Sequence, residues 1–196
     1  LIRKEFYEKK TYLKKDNLFT IIIIGGSQGA KIFDELLSKS FESIAKRVSL
    51  KIIHQTSEKN INRLKNFYSQ NNIESKVFSF DHNLNEVLKQ GDLCITRAGA
   101  SSLAELSFLN IPFVAIPLPS SKDNHQYENA RYYKERDCCW IIDQKNFDEQ
   151  KFEKFLLELI NKSQDYMTKK NNLLKLNYQN TWNSVNQKIL KIINEN

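Results

Sequence analysis

The 196-residue chain has no apolar run near the roughly 20 residues a helix needs to cross a bilayer. Its longest, Phe19–Ile24 with Thr20 inside it, is strand-length. The amino terminus, Leu1-Ile2-Arg3-Lys4-Glu5, has neither an initiator Met nor a signal-peptide core. It reads as the start of a fragment, or of a domain taken from a longer chain. Cysteine is scarce: Cys94, Cys138 and Cys139 are odd in number, two are adjacent, and none forms a C-x-x-C pair. That excludes a disulfide framework or zinc site and points to a reducing cytosol. Cys94 lies in an apolar run and reads as core packing. His54, His82 and His125 show no metal-ligand spacing, and no nucleophile elbow is present. The net charge is +7, yet there is no Arg-rich arm and no aromatic-basic RNA motif. Lysines such as Lys9, Lys10, Lys14, Lys15, Lys169 and Lys170 are scattered among asparagines, as on a solvated helix face. No nucleic-acid partner is expected.

What is present is an alternation of two periods. Phe19–Ile24 is continuous and β-branched, like a strand buried on both faces. Phe33, Leu36, Leu37, Phe41, Ile44 and Val48 then recur at helical spacing. Strands follow at Leu50–His54, Lys76–Phe80, Asp92–Thr96, Pro112–Ile116 and Cys139–Ile142. Helices are expected around Ile61–Tyr68, Leu84–Lys89, Ser102–Leu109 and Asn124–Glu135. Repeated βα units pair in parallel, because each helix crosses back over the sheet. The fold class is α/β, a Rossmann-like doubly wound parallel sheet. Phe152, Phe155, Leu156, Leu159 and Ile160 line one helical face of the tail; Tyr178, Trp182, Val185, Ile189 and Ile193 line another. A single domain over 1–196 is expected, with 1–16 as lead-in and 164–196 as carboxyl-terminal helices.

Three segments follow strand ends, where open α/β sheets bind ligands. Gly25-Gly26-Ser27-Gln28-Gly29-Ala30 opens the first helix, and helix-start N–H groups attract phosphate. The spacing is neither G-x-G-x-x-G nor a Walker A loop. A tight βα turn would use the same glycines. Thr96-Arg97-Ala98-Gly99-Ala100-Ser101-Ser102-Leu103-Ala104-Glu105 supplies a second helix start. Glu105 suits a ribose diol, while Ser102-x-x-Glu105 equally spells a capping box. Asp123-Asn124-His125-Gln126 enters a further helix, with amide and imidazole groups suited to sugar hydroxyls. His125 can be read as a base or as a cap. Asp81 and Asp123 fit turn or cap chemistry.

Together these segments resemble the carboxyl-terminal, donor-binding half of the MurG family, the GT-B enzymes of glycosyltransferase family 28 that make lipid II. The matching pieces are G-G-S-Q-G-A at Gly25–Ala30, His54-Gln55-Thr56, R-A-G-A-S-S-L-A-E at Arg97–Glu105, and D-N-H-Q-Y-E-N-A at Asp123–Ala130. Ile2-Arg3 is similar to the end of the family's N-P-[IV]-R motif. The resemblance implies a UDP-N-acetylglucosamine donor, with Ser27 in the loop facing the diphosphate and uracil at the backbone near Phe80 and Asp81. It implies Ala100, Ser101, Ser102 and Leu103 at the phosphates, Ala104 beside them, Glu105 on the ribose and Gln126 on the sugar. Arg3 would reach the nucleotide from the hinge. Gly25, Gly26, Gln28 and Gly29 form the phosphate loop; Arg97, Gly99, Asn124 and His125 complete the rim. It implies inverting transfer to lipid I without a metal or other cofactor. The setting is cell-wall synthesis, with its links to cell shape and division, peripheral at the cytoplasmic face of the inner membrane. The family's acceptor site and catalytic base belong to an amino-terminal domain that this sequence does not contain. Three positions depart: Ser57 where Gly is common, Asp137-Cys138-Cys139 in place of a Gly-Ala-Ala turn, and Asp81 where an apolar residue faces uracil. The alternative is a UDP-sugar-binding subunit of a split transferase that is inactive without a partner chain. A dinucleotide oxidoreductase ranks last, because His54-Gln55 stands where an acidic residue should close the second strand.

Overall fold

The structure is a computed structural model and describes residues 2, 6, 18–25, 31–176 and 182–195. Of the expected site, Arg3, Gly26, Ser27, Gln28 and Gly29 lie outside the described residues, as do Tyr178 and most of the 1–16 lead-in. The strands are β1 (Phe19–Ile24), β2 (Leu50–Gln55), β3 (Glu74–Phe78), β4 (Leu93–Thr96), β5 (Phe113–Ala115) and β6 (Cys139–Ile141). They form one sheet of six parallel strands in the order β3-β2-β1-β4-β5-β6. The helices are α1 (Lys31–Leu36), α2 (Ser38–Ala45), α3 (Ile61–Gln70), α4 (Leu84–Leu88), α5 (Ala100–Phe108), α6 (His125–Lys134), α7 (Glu149–Ile160), α8 (Gln164–Lys175) and α9 (Trp182–Asn194).

Period-two alternation sends successive β1 side chains to opposite faces. Ile21 and Ile23 join Phe33, Leu37, Phe41, Ile44, Leu64 and Phe152 under α1, α2, α3 and α7. Ile22 and Ile24 join Val87, Leu88, Leu103, Leu106, Ala130 and Tyr133 under α4, α5 and α6. Every β1 residue is buried, each isoleucine contributing about 1.5–3 kcal/mol against exposure. Close approach is required at Gly91, where a Cβ would lie 2.5 Å from Ile22 Cδ1.

The expected helix over Phe33–Val48 is divided into α1 and α2. Backbone bonding continues across the joint, Leu37 N–H to Phe33 O at 3.2 Å and Phe41 N–H to Leu37 O at 3.0 Å. The Ser38 hydroxyl also donates to the Asp34 carbonyl four residues back, a bond that bends helices. Strand β3 starts and ends two residues earlier than expected. With five glycines in the whole chain, several helices end on other left-handed residues: Asn72, Asn110, Asp137 and Lys162 have φ of 55°, 56°, 51° and 52°. Asparagine and aspartate take this conformation more readily than other side chains do. Asp137 thus adopts the geometry for which the family resemblance expects glycine.

Lys169 corrects the reading of the lysines as a solvated face. Its side chain is buried, with Nζ 2.8 Å from Asp137 Oδ1 and 2.6 Å from Asp165 Oδ1, and it lies 5.0 Å from the Trp140 ring centroid. The pair of carboxylates compensates the desolvated ammonium and ties α8 to the α6–β6 turn. Tyr166 pins the same helix to the sheet, its hydroxyl donating to Asp92 O at 2.9 Å. Cys94 is fully buried, and burial raises its thiol pKa; burial likewise pushes Cys139 up to about 12.

Candidate functional site

Strand order reverses between β1 and β4, the kind of switch point at whose carboxyl ends open α/β sheets carry a ligand crevice. The register sets Ile24 beside Thr96, and the Arg97 N–H donates to Ile24 O at 3.3 Å. The chain leaves β1 at the buried Gly25, and α1 begins at Lys31. From β4 it runs through Arg97, Ala98 and Gly99 into α5.

Helix α5 begins at Ala100 with Gly99 as its N-cap, without a side-chain cap. That start excludes the capping box, which would need Ser102 in the cap position. The first intrahelical bond is Leu103 N–H to Gly99 O at 3.0 Å. The backbone N–H groups of Ala100, Ser101 and Ser102 therefore have no helical acceptor, and Ala100 and Ser101 are exposed. The Leu103 N–H is committed to Gly99, and the Leu103 and Ala104 side chains lie in the core. Glu105 is buried one turn further in.

Arg97 acts inside the fold. Its Nη1 donates to Ile116 O at 2.9 Å and Pro117 O at 3.2 Å, and its guanidinium lies 5.0 Å from the Phe33 ring centroid. Burial lowers its pKa. It clasps the end of β5 to the β4–α5 loop and stacks on α1, so three pieces of the crevice share one side chain. Asn129 adds a further tie, its Nδ2 donating to Ala98 O at 3.0 Å.

The third segment turns sharply before α6. Asp123 and Asn124 have φ of 51° and 54°, a strained pair for residues with side chains. The exposed His125 has Nδ1 2.7 Å from Lys122 O. A carbonyl only accepts, so Nδ1 carries the hydrogen and Nε2 is left as an acceptor. Gln126 Oε1 accepts from Leu118 N–H at 2.9 Å, which leaves its Nε2 group as donor. Past β3, Asp81 Oδ2 accepts from Lys76 Nζ at 2.9 Å and Oδ1 from Asn83 N–H at 2.9 Å; the Lys76 contact, then the Asn83 bond, hold its carboxyl below the usual range. Phe80 beside it is 70% exposed, its ring edge-to-face with His82 at 4.8 Å.

Under the start of α1 lies a polar cluster centred on Asp34, a residue that sequence reasoning did not single out, although its partners His54 and Thr56 belong to the His54-Gln55-Thr56 piece. Asp34 is fully buried. Its Oδ2 accepts from Thr56 Oγ1 and Asn60 Nδ2, both at 2.7 Å, and lies 3.5 Å from Arg63 Nη2. Its Oδ1 is 3.3 Å from His54 Nε2, and His54 Nδ1 is 2.7 Å from the Tyr68 hydroxyl. Burial opposes the Asp34 charge, but contacts from His54, Thr56 and Asn60 outweigh it and lower its pKa. Burial keeps His54 neutral despite Asp34. With Nε2–H toward Asp34, Nδ1 accepts from Tyr68. The signal was available: Asp34 stands three residues before Leu37 and seven before Phe41, on the apolar face. Among the described residues no group of His, Cys, Asp and Glu is placed to hold a metal.

Residues 20–188 match the sequence model of the glycosyltransferase family 28 C-terminal domain. The whole chain is 45% identical over 196 residues to a UDP-N-acetylglucosamine--N-acetylmuramyl-(pentapeptide) pyrophosphoryl-undecaprenol N-acetylglucosamine transferase of Pelagibacter ubique (strain HTCC1062), covering 55% of that protein. A transferase of the same name from Rickettsia massiliae (strain Mtu5) is 39% identical over 165 residues, 83% of this chain and 44% of that protein. The chain thus spans about half the length of the curated relatives it matches. In fold it is similar to the crystal structure of Acinetobacter baumannii MurG, with a TM-score of 0.77 at 24% identity over 92% of this chain and 51% of that one.

Proposed function

The chain belongs to the glycosyltransferase family 28 C-terminal domain family, and on that premise we propose that it is the donor-binding half of an inverting UDP-N-acetylglucosamine transferase that converts lipid I to lipid II. The observation that carries this reading is the β1–β4 switch point, with the N–H groups of Ala100, Ser101 and Ser102, which have no helical acceptor, at its rim and Glu105 one turn below.

In this reading the diphosphate lies between the α5 start and the Gly25–Gly29 loop, with Ser27 in that loop. The Glu105 carboxylate accepts from the ribose hydroxyls. Uracil sits at the Phe80–Asp81 backbone, and the exposed Phe80 ring offers it an apolar face. Gln126 Nε2 donates to the sugar, with Asn124 and His125 at the rim and Arg3 reaching in from the hinge. The acceptor's 4-hydroxyl oxygen bonds to the anomeric carbon as the bond to the diphosphate oxygen breaks. The acceptor proton passes to a base on the amino-terminal half. Negative charge grows on the departing UDP, where helix-start N–H groups stabilise it without a metal. Positioning two substrates supplies about 7–11 kcal/mol of a barrier, so this half alone is nearly inactive. The partner half carries the lipid-linked acceptor at the cytoplasmic face of the membrane; no described helix is long and apolar enough to cross one.

Calorimetric titration with UDP-N-acetylglucosamine, UDP and NAD, each with and without EDTA, tests the proposal. Binding of the two uridine ligands unaffected by EDTA is expected. Binding of NAD but not UDP would overturn it.

A further inference from the structure

Helix α6 starts at the carboxyl edge of the sheet, after β5. Its inward stripe runs through Gln126, Asn129, Ala130 and Tyr133, the i, i+3, i+4, i+7 spacing of a packed face. Ala130 and Tyr133 belong to the core, while Gln126 and Asn129, a turn nearer the edge, are half-buried. Tyr127 and Glu128 between them are exposed. The two amides thus share the side of α6 that faces the fold, at the end of the sheet where the β4–α5 loop begins.

Each amide spends one end on a backbone group. Gln126 Oε1 accepts from Leu118 N–H at 2.9 Å, and Asn129 Nδ2 donates to Ala98 O at 3.0 Å. An N–H only donates and a carbonyl only accepts, so neither amide can be turned around. What each leaves over is therefore fixed: a donor at Gln126 Nε2 and an acceptor at Asn129 Oδ1. Among the described residues neither atom has a partner, and neither is sealed from solvent. Their anchors lie just past the ends of two neighbouring strands, Ala98 after β4 and Leu118 after β5, whose register pairs Thr96 with Ala115. Ala98 stands next to Gly99, the cap of α5.

We propose that Asn129 is a second sugar-reading residue, its Oδ1 and Gln126 Nε2 gripping one hydroxyl of the donor hexose between them, an inference that rests on the donor-half reading. A hydroxyl accepts and donates at once, which matches a fixed donor beside a fixed acceptor. An ether or carbonyl oxygen would leave Asn129 Oδ1 without a hydrogen, and an ammonium would leave Gln126 Nε2 without an acceptor. Residues three apart on a helix have Cβ atoms about 5–6 Å apart, so one oxygen within hydrogen-bond distance of both amides fits between them. The sugar is bonded to the diphosphate, which in that reading lies at the α5 start, so the ring falls beside Ala98 and Asn129. Both amides are anchored before the ligand arrives, which lowers the ordering cost of binding.

The test is calorimetric titration of the chain and of Asn129→Ala with UDP, with UDP-N-acetylglucosamine, and with three analogues of the latter, each lacking one of its hydroxyls. Asn129→Ala should weaken UDP-N-acetylglucosamine about tenfold and leave UDP within about twofold. With the analogue that lacks the gripped hydroxyl, chain and variant should bind alike, because the interaction is already gone. Equal weakening of UDP and UDP-N-acetylglucosamine would reduce Asn129 to a tie that shapes the loop before α5, and would overturn the proposal. So would unchanged affinity, or a loss that persists with all three analogues. UDP titrated against the unsubstituted chain reports the donor reading separately. If UDP does not bind it, that reading and this inference fall together; if UDP binds and Asn129→Ala changes nothing, only the role of Asn129 has failed.

Discussion

Replacing Asp34 by Ala should damage this protein more than any substitution at its rim. The carboxylate is fully buried and receives two hydrogen bonds at 2.7 Å, from Thr56 and Asn60. Hydrogen bonds to a charged group are worth about 1.5–3 kcal/mol each. Desolvation of the carboxylate, recovered in the variant, offsets part of their sum. The Thr56 hydroxyl and the Asn60 amide are then left without their acceptor, and His54 Nε2 loses the carboxylate oxygen 3.3 Å away. A net loss of about 3–5 kcal/mol is expected, the range for removing one partner of a buried pair. With a urea slope of about 2–3 kcal/mol/M for a chain of this size, the midpoint should fall by roughly 1–2.5 M. Urea unfolding followed by circular dichroism measures it. Asp34→Ala combined with Thr56→Val should lose less than the two single losses added, because both remove one interaction. A midpoint shift under about 0.3 M at unchanged slope would show that the cluster gives no net stability and that the start of α1 is held elsewhere.

Acidification should act through the same cluster. The folded His54 pKa lies below its ordinary value because of burial, so the unfolded chain takes up a proton first as pH drops below about 6.5. Stability should decline from there, and more steeply as the depressed Asp34 carboxyl titrates below its usual range; His54→Gln should flatten the decline between pH 7 and 5 in the same urea assay. Glu105→Gln should weaken UDP binding by about tenfold, or about 1.4 kcal/mol, in calorimetry, and unchanged affinity would remove Glu105 from the ribose. Gly91→Ala should cost about 1–3 kcal/mol, because its Cβ would sit 2.5 Å from Ile22 Cδ1 in the middle of the sheet; a melting temperature equal to that of the parent would contradict that packing.

Periodicity carried the sheet well, because β1 is buried on both faces and its run of isoleucines has no other economical explanation. Helix starts were less legible. Ser102 with Glu105 spells a capping box and the true cap, Gly99, has no side chain to signal it, so α5 could be placed two residues late. The division at Leu37 coincides with the Ser38 hydroxyl bonding the Asp34 carbonyl, which no window average detects. Arg97 was read as a ligand contact because charge near a strand end invites that reading. Its carbonyl partners, Ile116 and Pro117, lie at the end of the neighbouring strand β5, some twenty residues on, and are invisible to local pattern. Asp34 was passed over for the opposite reason: its neighbours in sequence are apolar, and the groups that make its burial tolerable come from two other elements.

The placement of β1 at the centre of the sheet has a consequence for how the molecule is made. On one side β1 pairs with β2, but its other neighbour comes much later: Thr20 N–H donates to Asp92 Oδ2 at 2.8 Å across 72 residues of chain. Closing so long a loop delays that contact relative to local ones. While the chain leaves the ribosome, β1 to β3 can assemble into a three-stranded half with one edge of β1 unpaired and apolar. Such an edge is a template for wrong pairing. The crevice is formed by the pairing that covers this edge, so a nascent chain gains the proposed ligand site and covers an aggregation-prone edge in the same step.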